Sequence, residues 1–259
     1  MRTRSSTPRS FTDVTSAEAT STATEATLVW AIGGIEQHGP HLPLSVDFDI
    51  ADALARQVAA ELDGYTLPSQ PISVRSLPQS GGGLAFPGTV FVHGTSFVHY
   101  ITNALTSLAE LRPRRVVVLN GHYENEVFLF EALDMCRSSG KLDTTAVLAL
   151  SWWSAVQGSW TAEHLPDFPG WHAEHAGLTE TSLMMFLRPQ AVREDRPEHD
   201  APPPAGVYAH PVDVDRISHN GALSSTAGAS AEIGEALFWH VVDNICELVR
   251  SPHRKPRQR

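Results

Sequence analysis

Apolar and polar positions along the chain follow two alternating periods. Thr27 to Gly33 (TLVWAIG) and Arg115 to Leu119 (RVVVL) are short, almost continuous apolar runs bounded by turn residues, the pattern of strands buried on both faces. Thr145 to Leu150 reads as a further strand. Between these runs the period lengthens. Asp47 to Leu62 places Ile50, Leu54, Val58 and Leu62 on one stripe, which predicts a helix. Ser96 to Leu111, opened by Thr95 as a cap, and Glu124 to Arg137 predict two more, and Thr179 to Leu187 and Ser230 to Val249 complete the set. Strands alternating with helices of this length predict an α/β fold, a single three-layer domain with a mostly parallel sheet flanked by helices.

The ends differ from this body. Residues 1–27 are rich in Ser, Thr and Ala and poor in large apolar side chains, so the expectation is a disordered lead-in. Residues 251–259 read as a basic disordered tail, which leaves residues 28–250 as the domain. Nineteen basic residues stand against twenty-nine acidic ones, and seven of the nineteen lie at the two ends, so the body is acidic. That balance argues against nucleic acid or an anionic membrane as partner. With no apolar run of about 18 residues and no secretory-signal core, a cytoplasmic protein is the expectation. Cys136 and Cys246 are far apart and form no CxxC, which excludes a thiolate zinc site of that spacing.

Thirteen histidines make their distribution informative. Parallel sheets bind ligands at the carboxyl ends of their strands. After the first strand comes GGIEQHGPHLPLSVDFD, with Glu36, His38, His41, Asp47 and Asp49 in a Gly- and Pro-bent segment. After RVVVL comes NGHYEN, with His122 and Glu124. If the two strands are neighbours, Glu36, His38, Asp47, His122 and Glu124 share one pocket. Two His and three carboxylates suit zinc or manganese, and one Asp can bridge a pair of ions. Neither segment holds a serine nucleophile elbow, a GxGxxG run or a Walker loop. The Gly81 to Gly83 run reads as backbone that comes close to a small ligand.

GGIEQHGPHLPLSVD, SGGG with FPGT, NGHYEN and GWHAEHAGLTETS together resemble the creatininase family of metal-dependent amidohydrolases, from about Leu28 to Glu247. The resemblance implies two divalent ions per subunit, zinc or manganese or both. Glu36, Asp47 and His122 would hold one, and His38, Asp47 and Glu124 the other, with Asp47 bridging. Glu180 of the ETS motif would be a further acidic candidate that ligates or orients. His175 would be the proton shuttle, supported by Glu174, with Glu124 as another proton carrier. Ser80, Tyr123, Trp153, Trp171 and His172 would line the substrate pocket, and Trp152 reads equally well as core.

NGHYEN and the Trp-bearing segments point, by the same resemblance, to opening of the creatinine ring to creatine. The family also holds enzymes acting on peptide-like or formamide amides. His172 stands where creatinine-specific relatives carry Asp, and Leu84 and Ala85 replace polar residues before FPGT. Another cyclic amide or a peptide-like amide is therefore the alternative substrate, and a non-catalytic binding protein with the same fold the remaining one. The resemblance further implies a homo-oligomer, a hexamer.

Overall fold

The computed structural model describes residues 8–165, 167–196 and 208–251. Five strands form one parallel sheet in the order β1 (Arg9–Ser10), β3 (Tyr65–Thr66), β2 (Thr27–Ile32), β6 (Arg115–Asn120), β7 (Ala146–Ser151). A separate two-stranded parallel ladder joins β4 (Ser73–Val74) to β5 (Phe91–Val92). Side chains on a strand point alternately to opposite faces, and β2 and β6 use both. Val29, Ala31, Val117 and Leu119 pack on one side with α2 (Val46–Glu61), α6 (Leu178–Leu187) and α7 (Ala231–Arg250). Trp30, Ile32, Val116 and Val118 pack on the other with α3 (Gly94–Glu110) and α4 (Asn125–Ser138). The result is the three-layer α/β arrangement that the alternating pattern predicts. No helix among the described residues is long and apolar enough to cross a membrane.

Two expectations need correction. Residues 8–27 are not a structureless lead-in: β1, a short 3-10 turn at Phe11–Asp13 and α1 (Ala19–Glu25) lie there. Their order comes from distant partners. Strand β1 pairs with β3, Phe11 meets the Tyr65 ring edge-on, and the Arg9 side chain bonds Asp63. The helix expected to open at Thr95 begins at Gly94, with His93 as its cap and no side-chain capping bond. The basic tail, apart from Ser251, and residues 1–7 lie outside the described residues.

Candidate metal centre

The site forms where β2 and β6 end side by side. The two strands pair in register, with Ile32 opposite Asn120, so the segments that leave them start next to each other. From β2 the chain runs through Glu36, Gln37 and His38 into α2, whose first turn carries Asp47. From β6 it runs through Gly121 and His122 to Glu124, the residue that caps α4. A Cβ at Gly121 would lie 2.3 Å from the Asp47 carbonyl, so only glycine lets the end of β6 come this close to α2. Asn120 and Asn125 fix the turn: the Asn125 amide donates to Gly33 O and Asn120 Oδ1, and its oxygen accepts from Val74 N.

Three acids and two imidazoles converge in this space, all buried. His122 Nδ1 lies 3.0 Å from both Glu36 Oε2 and Asp47 Oδ2. His38 Nε2 lies 3.1 Å from Asp47 Oδ1 and 3.6 Å from Glu180 Oε2. Potential ligand atoms of Glu36, Asp47 and His122 fall within 4.8 Å of one another, as do those of His38, Asp47 and Glu180. Asp47 belongs to both sets. A third such group joins Glu36, His38 and His175.

The structure thus brings Glu180, rather than Glu124, to His38 and Asp47. Glu180 sits in the first turn of α6, which packs on α2 across the apolar core. Glu124 faces the outer side of His122, its Oε2 3.4 Å from Nε2, while its Oε1 accepts from Leu77 N.

These residues fit a cation pair. Among the described residues, Glu36 Oε1, His38 Nε2 and His122 Nε2 are buried without a well-aligned hydrogen-bond partner, although carboxylate oxygens lie close to both ring nitrogens, and buried polar atoms rarely stay so. His38 Nδ1 donates to the Glu36 carbonyl at 3.1 Å, which leaves the Nε2 lone pair for a ligand role. The electrostatics agree. Burial opposes a charge on His38, but Asp47 and Glu180 outweigh it and raise its pKa well above the usual imidazole range. At His122 burial is likewise outweighed, by Glu36 and Asp47. Burial also works against an ionised Asp47, and the two imidazoles hold its carboxyl below the usual range nonetheless. The carboxylates call for positive charge in the cluster, which divalent ions would supply in place of ring protons.

Beside this cluster lies a cavity lined by Ser80, Tyr123, Glu124, Trp153, Trp171, His172, Glu174 and His175 together with the acids Glu36, Asp47 and Glu180. All the residues expected to bind substrate therefore meet it. Tyr123 and Trp153 stack at 5.9 Å and 24°. Trp152 is buried in the core, meets the Trp153 and Trp171 rings edge-on and also borders the cavity, so it belongs to both the core and the aromatic wall. Glu174 is held by Thr179 and Ser224, and burial together with Glu180 pushes its carboxyl up to about 7.

Three other residues lie elsewhere than their motif position suggests. Asp49 pairs with Arg188 and Ser45 outside the cluster. His41 is buried beside Thr181. The Gly81 backbone closes on the His175 ring and the Gly221 carbonyl, so the glycine run serves an approach between parts of the protein. Gln37, inside the EQH motif, is a residue that the sequence pattern does not mark; its place between two candidate ligands is the available signal.

Comparison with known proteins agrees with this geometry. A family model described as "Creatininase: Creatinine amidohydrolase" matches residues 12–249. The chain is 36% identical over 242 residues to a creatinine amidohydrolase of Pseudomonas putida, covering 90% of this chain and 92% of that protein. It is 30% identical over 235 residues to a mycofactocin precursor peptide peptidase of Mycobacterium tuberculosis (strain CDC 1551 / Oshkosh), covering 88% and 86%. Among solved structures, "Creatininase Mn" superposes with a TM-score of 0.86 at 31% identity, over 95% of this chain and 98% of that one. A variant creatininase of Zn-Zn type gives 0.87 at 31% identity, over 96% and 100%. Sequence, fold and residue cluster converge on one conclusion: the chain belongs to the creatininase family of hydrolases.

Proposed function

We propose that the chain is a binuclear metal-dependent amidohydrolase that opens a cyclic amide, creatinine to creatine. The observation that carries this reading is a stacked aromatic pair, Tyr123 on Trp153, that lines the same cavity as the acids Glu36, Asp47 and Glu180. The cavity itself is small, about 30 Å³, so a flat ring would enter by stacking on this partly exposed aromatic pair as the lining side chains give way, with its amide turned toward the acids.

Glu36, Asp47 and His122 would hold one divalent ion and His38, Asp47 and Glu180 the other, zinc or manganese in each case. When bound, such ions supply Lewis acidity toward the amide carbonyl and toward a water. The chain's own residues do the rest. Asp47 offers one carboxylate oxygen to each set. His175, which lines the cavity, carries a proton from the attacking water to the departing ring nitrogen. Glu174 supports the segment that bears His175 through its bonds to Thr179 and Ser224. Glu124 holds the Leu77 backbone beside Ser80 and faces His122. The reaction adds water across one C–N bond, with oxygen to carbon and hydrogen to nitrogen, and no change of oxidation state. The proposal extends to a cytoplasmic homo-oligomer, a hexamer by resemblance.

A second reading has its own support. A larger cavity of about 450 Å³ lies on the other side of Glu174, walled by Leu165, Phe168, Leu178 and Ile233. It offers room for a side chain that creatinine lacks, which favours a peptide-like amide. The test is a panel of creatinine, hydantoins, lactams and short peptides with added manganese or zinc, followed for amide cleavage. Creatine formed from creatinine is expected. Cleavage confined to peptides would replace the first reading with the second. Metal content is read alongside, and a chain that binds neither ion and cleaves no amide would be a binding protein on the same fold.

A further inference from the structure

Gln37 lies between Glu36 and His38 in the sequence yet takes no part in their cluster. Its side chain is buried and each of its polar atoms is used. Nε2 donates to the carbonyls of Gly81 at 3.1 Å and Gly221 at 3.0 Å, and Oε1 accepts from Gly39 N at 3.2 Å. Two carbonyls at one end and an N–H at the other fix which end of the amide is nitrogen.

This has a consequence for His175. Its Nε2 lies 3.1 Å from Gln37 Nε2 and 2.9 Å from the Gln37 main-chain oxygen. Both amide hydrogens of Gln37 are already committed, and an amide nitrogen does not accept. A lone pair on His175 Nε2 would also face the lone pairs of the carbonyl oxygen. The ring proton therefore sits on Nε2 and is donated to Gln37 O. The surrounding space reinforces the arrangement. A Cβ at Gly81 would lie 2.5 Å from His175 Cδ2, and one at Gly221 would lie 2.0 Å from Gln37 Oε1. His175 Nδ1 has no hydrogen-bond partner in the protein among the described residues.

We propose that Gln37 is a positioning residue that holds His175 in its Nε2–H tautomer, so that Nδ1 is the nitrogen that carries the proton during amide cleavage. This rests on the role given to His175 above. The balance is simple. Water gives its oxygen to the acyl carbon and one proton to Nδ1; the C–N bond breaks with its electron pair on nitrogen, and that nitrogen takes the proton from Nδ1. Nε2–H stays on the Gln37 carbonyl throughout and steadies the ring while it is charged.

Nitrogen-15 NMR of histidine-labelled protein tests this directly, in the metal-free and zinc-loaded chain, with the His175 signal assigned by its loss in His175→Gln. The Nε2–H tautomer is expected for the wild-type chain. Gln37→Met fills a similar volume without the amide. It is expected to keep zinc content and circular dichroism, to give a mixture of tautomers at His175, and to lower kcat about 10- to 100-fold with KM little changed, the usual scale for an outer partner of a site residue. An Nδ1–H tautomer in the wild-type chain overturns the proposal, as does a Gln37→Met variant with unaltered tautomer and kcat. If Gln37→Met does not fold, the wild-type spectrum decides alone. The tautomer is read without substrate, and turnover is measured on whichever amide the panel shows to be cleaved. Failure of every amide would therefore strike the functional reading and leave the spectrum standing.

Discussion

Asp47 Oδ2 lies 3.0 Å from His122 Nδ1, which ties the first turn of α2 to the segment leaving β6 through one buried carboxylate. The other oxygen of the same group faces His38. Among the described residues, Asp47 is thus the one shared by two acid and imidazole sets, Glu36 with His122 and His38 with Glu180. Asp47→Ala is expected to remove both ions and abolish turnover, because each set then lacks a charged ligand. His122→Ala is expected to weaken mainly one. Metal analysis after gel filtration checks this. Two retained ions with normal turnover in Asp47→Ala would show that Asp47 does not bridge.

The position of Glu180 separates two acids that are hard to rank from sequence. Glu180→Gln is expected to lose the ion held with His38, leaving about one per chain. Glu124→Gln, whose carboxylate lies against His122 and the Leu77 backbone, is expected to keep more metal and lose turnover. Side-by-side metal titration of the two variants decides, and the reverse order of metal loss would return Glu124 to the second ligand set.

Much of this was legible in the chain before any coordinates. The apolar runs in β2 and β6 and the stripe on α2 mark the sheet and its cover, and the polar residues crowd where those strands end. What local pattern cannot show is packing at a distance. Glu180 reaches the cluster only because α6 lies against α2, more than a hundred residues away in sequence. Glu124, two residues from His122, is the nearer choice by spacing, but as the cap of α4 it turns to Leu77 instead. Residues 8–26 look too polar to fold, since their order depends on β3 and Asp63 rather than on their own composition. Gln37 carries no chemistry of its own that would draw notice, and its role appears only when Gly81, Gly221 and His175 surround it.

His41 gives a pH prediction with a definite sign. Its ring is buried beside Thr181, and burial followed by the nearby Arg196 lowers its pKa to about 4. The unfolded chain takes a proton at this residue below about pH 6.5, which the folded chain refuses until about 4. Its contribution to stability is therefore full above pH 6.5 and declines as the pH falls to 4. Glu174 acts oppositely, since its raised carboxyl lets the folded chain take a proton first as the pH drops below about 7. The two trends partly offset in the wild-type protein, so the difference between wild type and His41→Gln isolates the histidine. Denaturant unfolding of both at several pH values should show the wild type losing more stability than the variant between 6.5 and 4, by about 1 to 2 kcal/mol once solvent screening is allowed for. Parallel curves would mean that His41 is protonated in the folded chain.

The proton role of His175 can be separated from a ligand role, although its ring lies 4.3 Å from that of His38 and shares a potential ligand group with Glu36. If His175 delivers the proton to the leaving nitrogen, His175→Ala should keep two ions and the native circular dichroism while turnover falls by about 10²- to 10⁴-fold, the scale of general acid and base catalysis. A ligand would instead cost metal. A structural histidine would cost stability, with normal turnover in the fraction that stays folded. Leaving-group chemistry sharpens the distinction. A leaving nitrogen of lower basicity departs with less help from a proton, so an amide of that kind should lose less turnover on His175→Ala than a poor leaving group does. The measurement is kcat per folded, metal-loaded chain for both amides in wild type and variant. Equal losses for the two would place His175 in a step before C–N cleavage, and wild-type turnover with the poor leaving group would remove it from the mechanism and leave Glu124, which lines the same cavity, to carry the proton.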